Sequence, residues 1–190
     1  MNTSYLFLAN GFEELEALTV VDVMRRAGMD IKTVSITDSL TVTGAHGITV
    51  TADVLFSKTD FITPEWLILP GGMPGATNLS EFAPLNTLLV AQAAAGKIAA
   101  ICASPAVVLG PLGILDGKDC TCYPGFEKLL AKAVVHDSPV ISLDRLITGN
   151  GPSAALRFAL AIVANSMGEA AAQEVGSAML LYPKRMNFYF

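Results

Sequence analysis

The sequence predicts an α/β sandwich, with helices on both faces of a largely parallel sheet. Three observations predict it. Short apolar runs alternate with longer segments of helical periodicity along the 190 residues, and such alternation is typical of βαβ units. Several apolar runs end at Gly or Pro, as buried strands do. Hydrophobic residues make up 52% of the chain, which supplies a core and excludes intrinsic disorder.

The first 36 residues predict a βαβ unit. Residues 4–9 form a short apolar run that ends at Asn10-Gly11, and residues 30–36 form a second run. Between them, residues 12–27 have helical periodicity, and Gly28 stands just past the end, where glycine often closes a helix. A strand, a helix and a strand in this order predict two parallel neighbours in one sheet.

The remaining elements continue the alternation after a small hairpin excursion. The hairpin is predicted at residues 40–43 and 48–51, where Thr and β-branched residues alternate around a Gly-containing turn. Further strands are predicted at residues 66–69, 97–101, 120–122, 134–136, 140–143 and 146–148, and further helices at residues 82–95, from 105, at 154–167 and at 169–181. No repeat or linker interrupts the chain, so we expect a single domain over residues 1–190.

Composition excludes several classes of function. The chain has 12 Lys and Arg against 17 Asp and Glu, a net charge of -5, whereas a nucleic-acid partner would need a basic surface. Residues 98–115 carry no charge over the length of a minimal membrane span. Pro105, Gly110 and Pro111 interrupt that stretch, so a buried strand followed by a short helix is expected instead of a membrane segment.

The N-terminus and the cysteines indicate a reducing compartment. Residues 4–9 are too short for the apolar part of a signal peptide and lack a basic segment before them. We therefore expect a cytoplasmic location. Three cysteines, an odd number without an export signal, are expected to be reduced thiols.

Cys102 is the candidate nucleophile. It directly follows the strand predicted at residues 97–101 and precedes Ala103, Ser104 and Pro105. A strand that turns sharply into a helix through small residues has the form of a nucleophile elbow. The helix N-terminus should lower the pKa of the thiol, and the amide of Ala103 should point to a developing oxyanion. The alternative is a small buried packing residue, as many free cysteines are.

Two further features fall at the same sheet edge. Gly71 and Gly72 follow the strand at residues 66–69, and paired glycines let backbone amides approach an anion or oxyanion closely. An ordinary turn is the alternative. Glu16 shares a helix stripe with Val20, Val23 and Ala27. A carboxyl on that apolar face should have a raised pKa and, next to Cys102, could donate a hydrogen bond to a thiolate.

No metal site or nucleotide phosphate loop is indicated. The chain contains neither GxGxxG nor GxxxxGK[ST]. His46 and His136 belong to no metal-ligand spacing, and Cys120 with Cys122 is explained by packing on one face of a strand. Favourable charge at a helix N-terminus explains Glu13 and Glu14. We expect no metal and no cofactor.

The motifs together resemble the DJ-1/ThiJ/PfpI superfamily, in particular its DJ-1-like branch. The resemblance covers nearly the whole chain and lies in the order and spacing of five motifs. They are residues 12–16 (FEELE), 21–28 (VDVMRRAG), 69–72 (LPGG), 99–103 (AAICA), and 149–152 (GNGP) with 158–162 (FALAI).

The resemblance implies a flavodoxin-like three-layer sandwich that forms a homodimer through its first helix and the residues around Arg26. It implies that Cys102 is the reactive and oxidisable thiol, that Glu16 is protonated and bonded to its sulfur, and that the amides of Gly72 and Ala103 form the oxyanion pocket. Activities attributed to the family include glyoxalase-type conversion of 2-oxoaldehydes to hydroxy acids, deglycation of their adducts, redox-linked chaperone action and proteolysis.

Two differences from relatives narrow the range of activities expected for this chain. Protease-like relatives carry His directly after the nucleophile, whereas this chain has Ala103, so no peptidase activity is expected. Some DJ-1-like members carry His before a Pro where this chain has Tyr123, and tyrosine is a poor base near neutral pH. Nothing in these residues supports the older label tied to thiazole phosphate biosynthesis.

Two hypotheses of different classes follow. In the first, an enzyme uses Cys102 on a small reactive aldehyde or glycated substrate while Glu16 moves the proton, with Tyr123 as a possible auxiliary group. In the second, Cys102 is the oxidisable thiol of a stress sensor or redox-linked chaperone with no significant turnover. A third possibility is a pocket that binds another metabolite.

Overall fold

The computed structural model describes residues 2–181, in which strands and helices alternate as predicted. The strands are β1 (Ser4–Leu8), β2 (Ile31–Ser35), β3 (Thr41–Thr43), β4 (Thr49–Thr51), β5 (Val54–Leu55), β6 (Trp66–Leu69), β7 (Lys97–Ile101), β8 (Asp119–Cys120), β9 (Val134–Val135), β10 (Val140–Ser142) and β11 (Leu146–Gly149). The α-helices are α1 (Glu14–Arg26), α2 (Gly75–Glu81), α3 (Ala83–Ala95), α4 (Ala155–Met167) and α5 (Glu169–Ala178). The single domain is predicted over residues 1–190, so at both ends the predicted bounds lie outside the described residues.

The central sheet has seven strands in the order β10-β11-β7-β6-β1-β2-β5. All neighbouring pairs are parallel except β10 with β11, which is antiparallel. One apolar core packs α1 and α4 against one face of the sheet, and a second packs α3 against the other. The predicted three-layer, flavodoxin-like sandwich is therefore confirmed.

The sequence explains why α1 forms where it does. Glu13 is the residue before the first turn, and its Oε2 accepts a hydrogen bond from the amide of Glu16 at 2.7 Å. Arg25 and Arg26 lie in the last turn, where positive charge suits the helix dipole. Gly28 then adopts a φ of 74°, the left-handed conformation that glycine readily takes past a helix end. The helix thus presents Glu16 from its first turn towards the sheet.

Several predicted boundaries were wrong, and two elements were missed. Short β5 has too few residues to show alternation, and α2 begins at Gly75, close behind the glycines that end the segment after β6. The helix predicted from residue 105 is only a π-helical stretch, Pro105–Leu109, followed by turns. The strand predicted at residues 120–122 is β8, and the last predicted helix ends at Ala178 instead of residue 181.

The predicted hairpin forms a separate two-stranded sheet of β3 and β4, which lies over the start of α1. The amide of Gly11 donates to the carbonyl of Thr43 at 2.8 Å, and the amide of Ala45 donates to the carbonyl of Phe12 at 2.8 Å. Within residues 2–181, no helix has the length and apolar character that a bilayer crossing needs. The apolar stretch at residues 98–115 instead contains β7 and the π-helical segment.

The parallel strands β1, β6, β7 and β11 end at one edge of the sheet, and the segments that follow them meet there. Gly71 and Gly72 follow β6, and Cys102 directly follows β7. In open parallel sheets this edge is where ligands bind. The fold therefore gathers the candidate residues at one place.

Candidate active site

Cys102 sits on a strained turn at the end of β7. Its φ of 65° lies in the left-handed region, which a residue with a side chain adopts at a cost of about 1–3 kcal/mol. Its amide donates to the carbonyl of Gly149 at 2.9 Å, and its carbonyl accepts from the amide of Tyr123 at 2.8 Å. Beside it, the hydroxyl of Ser104 donates to the carbonyl of Pro70 at 2.5 Å. These bonds hold the turn in the form of the predicted nucleophile elbow.

Glu16 points from α1 to this turn and is completely buried. Its Oε2 accepts a hydrogen bond from the amide of Gly71 at 2.7 Å. Within the described residues, no N–H or O–H group donates to its Oε1. The carboxyl and the thiol of Cys102 lie close enough to shift each other's pKa. A buried carboxyl oxygen without a donor is well suited to carry the proton itself.

Gly71 lies between the acid and the thiol. A Cβ atom built on Gly71 would lie 2.5 Å from Cβ and 2.9 Å from Sγ of Cys102, and 2.9 Å from Oε2 of Glu16. Any side chain there would push the two groups aside. Gly72 has a φ of 87°, and a Cβ on it would lie 2.4 Å from the amide nitrogen of Glu13. Both glycines therefore allow a close backbone approach, which an ordinary turn would not require.

Two backbone amides face the sulfur. The N–H groups of Gly72 and Ala103 act on the sulfur of Cys102 in the direction that lowers the pKa of its thiol. They belong to different elements, since Gly72 follows β6 and Ala103 follows Cys102 in the elbow. The structure thus brings together Cys102, Glu16, Gly71, Gly72 and Ala103, all five predicted from the sequence.

The charges of the acid and the thiol depend on each other. Burial raises the pKa of Glu16 from 4.5 to about 7, opposed by the hydrogen bond from Gly71. Burial, followed by the charge of Glu16, raises the pKa of Cys102 to about 12. Two negative charges in contact repel each other. At acidic pH the pair of Glu16 and Cys102 therefore holds two protons. Over a wide range of pH above neutrality, it holds one proton and carries one negative charge.

This result corrects the expectation that a helix N-terminus lowers the pKa of Cys102. The segment after the cysteine is a five-residue π-helical stretch, Pro105–Leu109, too short for a substantial helix dipole. Only the amides of Gly72 and Ala103 act in the expected direction, and burial with the Glu16 charge outweighs them. A sulfur anion in this site requires that Glu16 retain the remaining proton.

Tyr123 borders the site without a polar contact to the sulfur. Its backbone amide holds the carbonyl of Cys102, and its side chain is 44% exposed. The ring packs edge-on against Phe126, with 6.3 Å between the ring centroids. Within residues 2–181, the Tyr123 hydroxyl forms no hydrogen bond. Tyr123 therefore supplies an aromatic surface beside the elbow, and a proton-transfer role has no contact to support it.

The other two cysteines lie in apolar surroundings. Cys102, Cys120 and Cys122 are all free thiols, as expected from their number. Cys120 and Cys122 are buried in the core on the α3 side of the sheet. Burial raises the pKa of Cys120, and it raises that of Cys122 to about 11. These values favour protonated thiols that serve in packing.

A polar cluster near Glu16 has no counterpart among the features that the sequence predicts. Glu14 is buried and accepts hydrogen bonds from the amide and Nδ1 of His46, each at 2.7 Å, and from the amide of Ile48 at 3.3 Å. Burial acts to raise the pKa of Glu14, but these bonds lower it overall. The hydrogen bond to Glu14 raises the pKa of His46. The contact joins residues 32 positions apart, so no local sequence signal could reveal it.

Glu13, Glu14 and His46 also have the residue types of a metal site. Their ligand atoms lie within 4.8 Å of one another. However, donors of the β3–β4 hairpin already occupy both oxygens of Glu14. We therefore assign the cluster to anchoring the hairpin on α1, and the prediction of no metal site is left unchanged.

Comparisons with known proteins identify relatives of the chain. The profile of the DJ-1/PfpI family matches residues 3–165. Protein DJ-1 homolog B of Arabidopsis thaliana is 36% identical over 184 residues, which are 96% of this chain and 42% of that protein. The chain spans less than half the length of this relative and of Arabidopsis DJ-1 homolog A. A protein of Caenorhabditis elegans named glutathione-independent glyoxalase DJR-1.2 is 33% identical over 153 residues, 80% of this chain and 81% of that protein.

Solved structures agree with these sequence matches. The structure described as oxidized DJ-1 of Toxoplasma gondii superposes with a TM-score of 0.90 at 34% identity, covering 96% of this chain and 100% of that one. DJ-1beta of Drosophila melanogaster gives a TM-score of 0.89 at 31% identity, covering 94% of this chain and 97% of that one.

Fold and site together define a flavodoxin-like α/β protein with a buried cysteine–carboxyl pair at the carboxyl edge of its sheet. The chain belongs to the DJ-1/PfpI family and, within it, to the DJ-1-like branch.

The contact at Gly71 yields a prediction. Replacing Gly71 with Ala should reduce the rate of Cys102 alkylation by iodoacetamide at least tenfold, because the new Cβ would displace the sulfur and the Glu16 carboxyl. Mass spectrometry of the modified peptide measures the rate. Gly117→Ala is the control: its φ of 69° makes the substitution strained, but its Cβ would have open space around it, so it reproduces a destabilising glycine substitution that touches neither Cys102 nor Glu16. Equal rates in wild type and Gly71→Ala would contradict the described packing.

Proposed function

We propose that the protein is a cysteine-dependent enzyme acting on small 2-oxoaldehydes or their adducts, in a glyoxalase-type or deglycase-type reaction. The observation that carries the proposal is the buried carboxyl of Glu16, packed with Gly71 against the sulfur of Cys102. A reaction that adds sulfur to a carbonyl and then moves a proton needs these two groups in contact.

The distribution of hydrogen-bond donors favours a negative sulfur. Two amides, those of Gly72 and Ala103, face Cys102, whereas one amide, that of Gly71, faces Glu16. In the state with a single charge, more donors therefore stabilise a thiolate than a carboxylate. The remaining proton then belongs to Glu16, where it can bond the sulfur. This assignment gives a nucleophile near neutral pH despite the burial of the thiol.

The chemical steps balance with water as the only co-substrate. The Cys102 thiolate adds to the aldehyde carbon of methylglyoxal, and Glu16 gives its proton to the oxygen of that carbon, which forms a hemithioacetal. Glu16, now a carboxylate, takes the hydrogen of that carbon as a proton and returns it to the neighbouring ketone carbon, while the hydroxyl proton passes to the ketone oxygen, giving a thioester of lactate. Water hydrolyses the thioester, which releases lactate and restores the thiol. The amides of Gly72 and Ala103 lie beside the carbon under attack and would stabilise the oxyanion of each step.

The glyoxalase name of the C. elegans relative supports the reaction class, and an exposed apolar rim suits a small organic substrate. Met73, next to Gly72, is 48% exposed, and Tyr123 beside the elbow is 44% exposed. Because Ala103 replaces the His of protease-like relatives, we do not propose peptidase activity.

A redox-sensing or chaperone function is the second candidate. Cys102 is only 8% exposed, and the amides that face it would equally hold the oxygens of a sulfinate. Oxidation by a peroxide transfers oxygen to the thiolate and releases water, first to sulfenic and then to sulfinic acid. The oxidized state named for the Toxoplasma gondii relative supports this candidate.

One assay separates the two candidates. With methylglyoxal as substrate, wild type should form lactate and Cys102→Ser should lose at least a hundredfold of that activity, because an alcohol is far less acidic than a thiol. Lactate is quantified with a coupled dehydrogenase, and Cys122→Ser is the matched control, which should retain activity. If wild type forms no lactate while peroxide oxidises Cys102 selectively, the enzymatic proposal is wrong and the sensor function is supported.

We further propose that two copies of the chain pair through α1 and the hairpin. The supporting observation is a set of exposed apolar side chains on these elements, Leu15 at 54%, Leu18 at 42% and Ile48 at 54%. Such residues side by side are typical of a covered surface.

The proposed pairing predicts a concentration-dependent mass. Sedimentation equilibrium should give a dimer for wild type, and Leu18→Glu should shift it to a monomer by placing a charge in the interface. Val90→Glu, at an exposed position on α3, should remain a dimer. A wild-type chain that is monomeric at all concentrations would contradict the pairing.

A further inference from the structure

Three hydrogen bonds form a closed ring around the Glu16 carboxyl. The amide of Gly71 donates to Oε2 of Glu16 at 2.7 Å. The amide of Glu16 donates to Oε2 of Glu13 at 2.7 Å. The amide of Glu13 donates to the carbonyl of Gly71 at 2.9 Å. The ring joins the first turn of α1 to the end of β6, so the position of the Glu16 side chain is fixed through Glu13 as well as through Gly71.

We propose that Glu13 is a positioning residue for Glu16, which holds the acid in place through this ring and keeps its proton in place through the negative charge of its own carboxylate. No interaction of Glu13 contributes to the pKa of Cys102, so the proposed role acts through Glu16. The proposal deepens the proposed function, because it rests on the pairing of Glu16 with Cys102.

The charge of Glu13 acts at short range in poorly hydrated surroundings. Its side chain is 12% exposed, and water therefore screens its field only weakly. A nearby negative charge disfavours a second one, and the charge of Glu13 accordingly contributes to the raised pKa of Glu16. The charge of Glu13 therefore disfavours the single negative charge of the Glu16–Cys102 pair. Removing it should let the first proton leave at lower pH.

His46 lies on the other side of Glu13 and opposes its effect. Nδ1 of His46 is 3.9 Å from Oε1 of Glu13, and the hydrogen bond to Glu14 raises the pKa of this exposed imidazole. A protonated His46 partly neutralises Glu13. Through His46, the hairpin therefore weakens the electric field that Glu13 exerts on Glu16.

The titratable groups around Glu16 come from three elements among the described residues. Cys102 acts on it from the elbow after β7, and Glu13 acts on it from the position just before α1. His46 of the hairpin acts through Glu13, together with Glu14, whose oxygens the hairpin donors occupy. The sheet contributes the uncharged amide of Gly71.

The pH dependence of Cys102 alkylation by iodoacetamide tests the proposal. In wild type the rate should rise with a midpoint near pH 7, where the pair loses its first proton. Glu13→Gln keeps an oxygen that can accept from the amide of Glu16 but removes the charge, so its midpoint should fall by about half a unit to one unit. Glu13→Asp keeps the negative charge, and Asp is a residue type that caps helices well. The midpoint of this variant should therefore stay at the wild-type value. His46→Gln should shift the midpoint in the opposite direction, upwards.

Glu169→Gln is the matched control, because Glu169 is an exposed acid in the first turn of another helix, α5. It should leave the midpoint unchanged. A structural role alone would change the rate without moving the midpoint, so a wild-type midpoint in a folded Glu13→Gln variant would overturn the proposal. A wild-type midpoint no lower than that of free cysteine would instead overturn the proposed pairing of Glu16 with Cys102. Circular dichroism confirms that each variant is folded.

Discussion

The contact between the Glu16 carboxyl and the Cys102 sulfur, across the backbone of Gly71, is the constraint on which the rest of the site depends. Burial makes two charges here too costly, so acid and thiol share one proton over a wide pH range. The parallel sheet makes the contact possible because β6 and β7 are neighbours and end at the same edge. Because Gly71 has no side chain, the Glu16 carboxyl and the Cys102 sulfur can both pack against its backbone.

This arrangement costs stability, which supports a functional reason for it. The pKa of Glu16 is 4.5 in an unfolded chain and about 7 in the fold. The folded state therefore binds the first proton of the Glu16–Cys102 pair more tightly, and the stability contributed by that proton is complete below about pH 4.5. That contribution is lost as the pH rises through about 7. The left-handed backbone of Cys102 adds a further cost. Strain and a buried acid at one place are typical of sites selected for chemistry instead of stability.

Local patterns in the sequence predict most of the fold and the residues of the pair, but not its electrostatics. The stripe of Glu16, Val20 and Val23 predicts a buried acid, and Cys102 after a strand predicts the elbow. Spacing does not reveal how Cys102 titrates, because its pKa depends on burial first and then on the charge of Glu16, and the segment after it is too short to act as a helix dipole. The contact of Glu14 with His46 joins distant segments through the hairpin, and so it lies beyond local pattern.

The most direct test is to observe both members of the pair during one pH titration. Isotope-edited infrared spectra of wild type minus Glu16→Gln follow the carboxyl, and ultraviolet difference spectra of wild type minus Cys102→Ser follow the thiolate. The account predicts that the Glu16–Cys102 pair releases its first proton near pH 7, and that thiolate absorbance rises in this step while the Glu16 carboxyl stays protonated at about pH 8. It would be contradicted if the carboxyl ionised near the usual value for glutamate and thiolate appeared only in strongly alkaline solution.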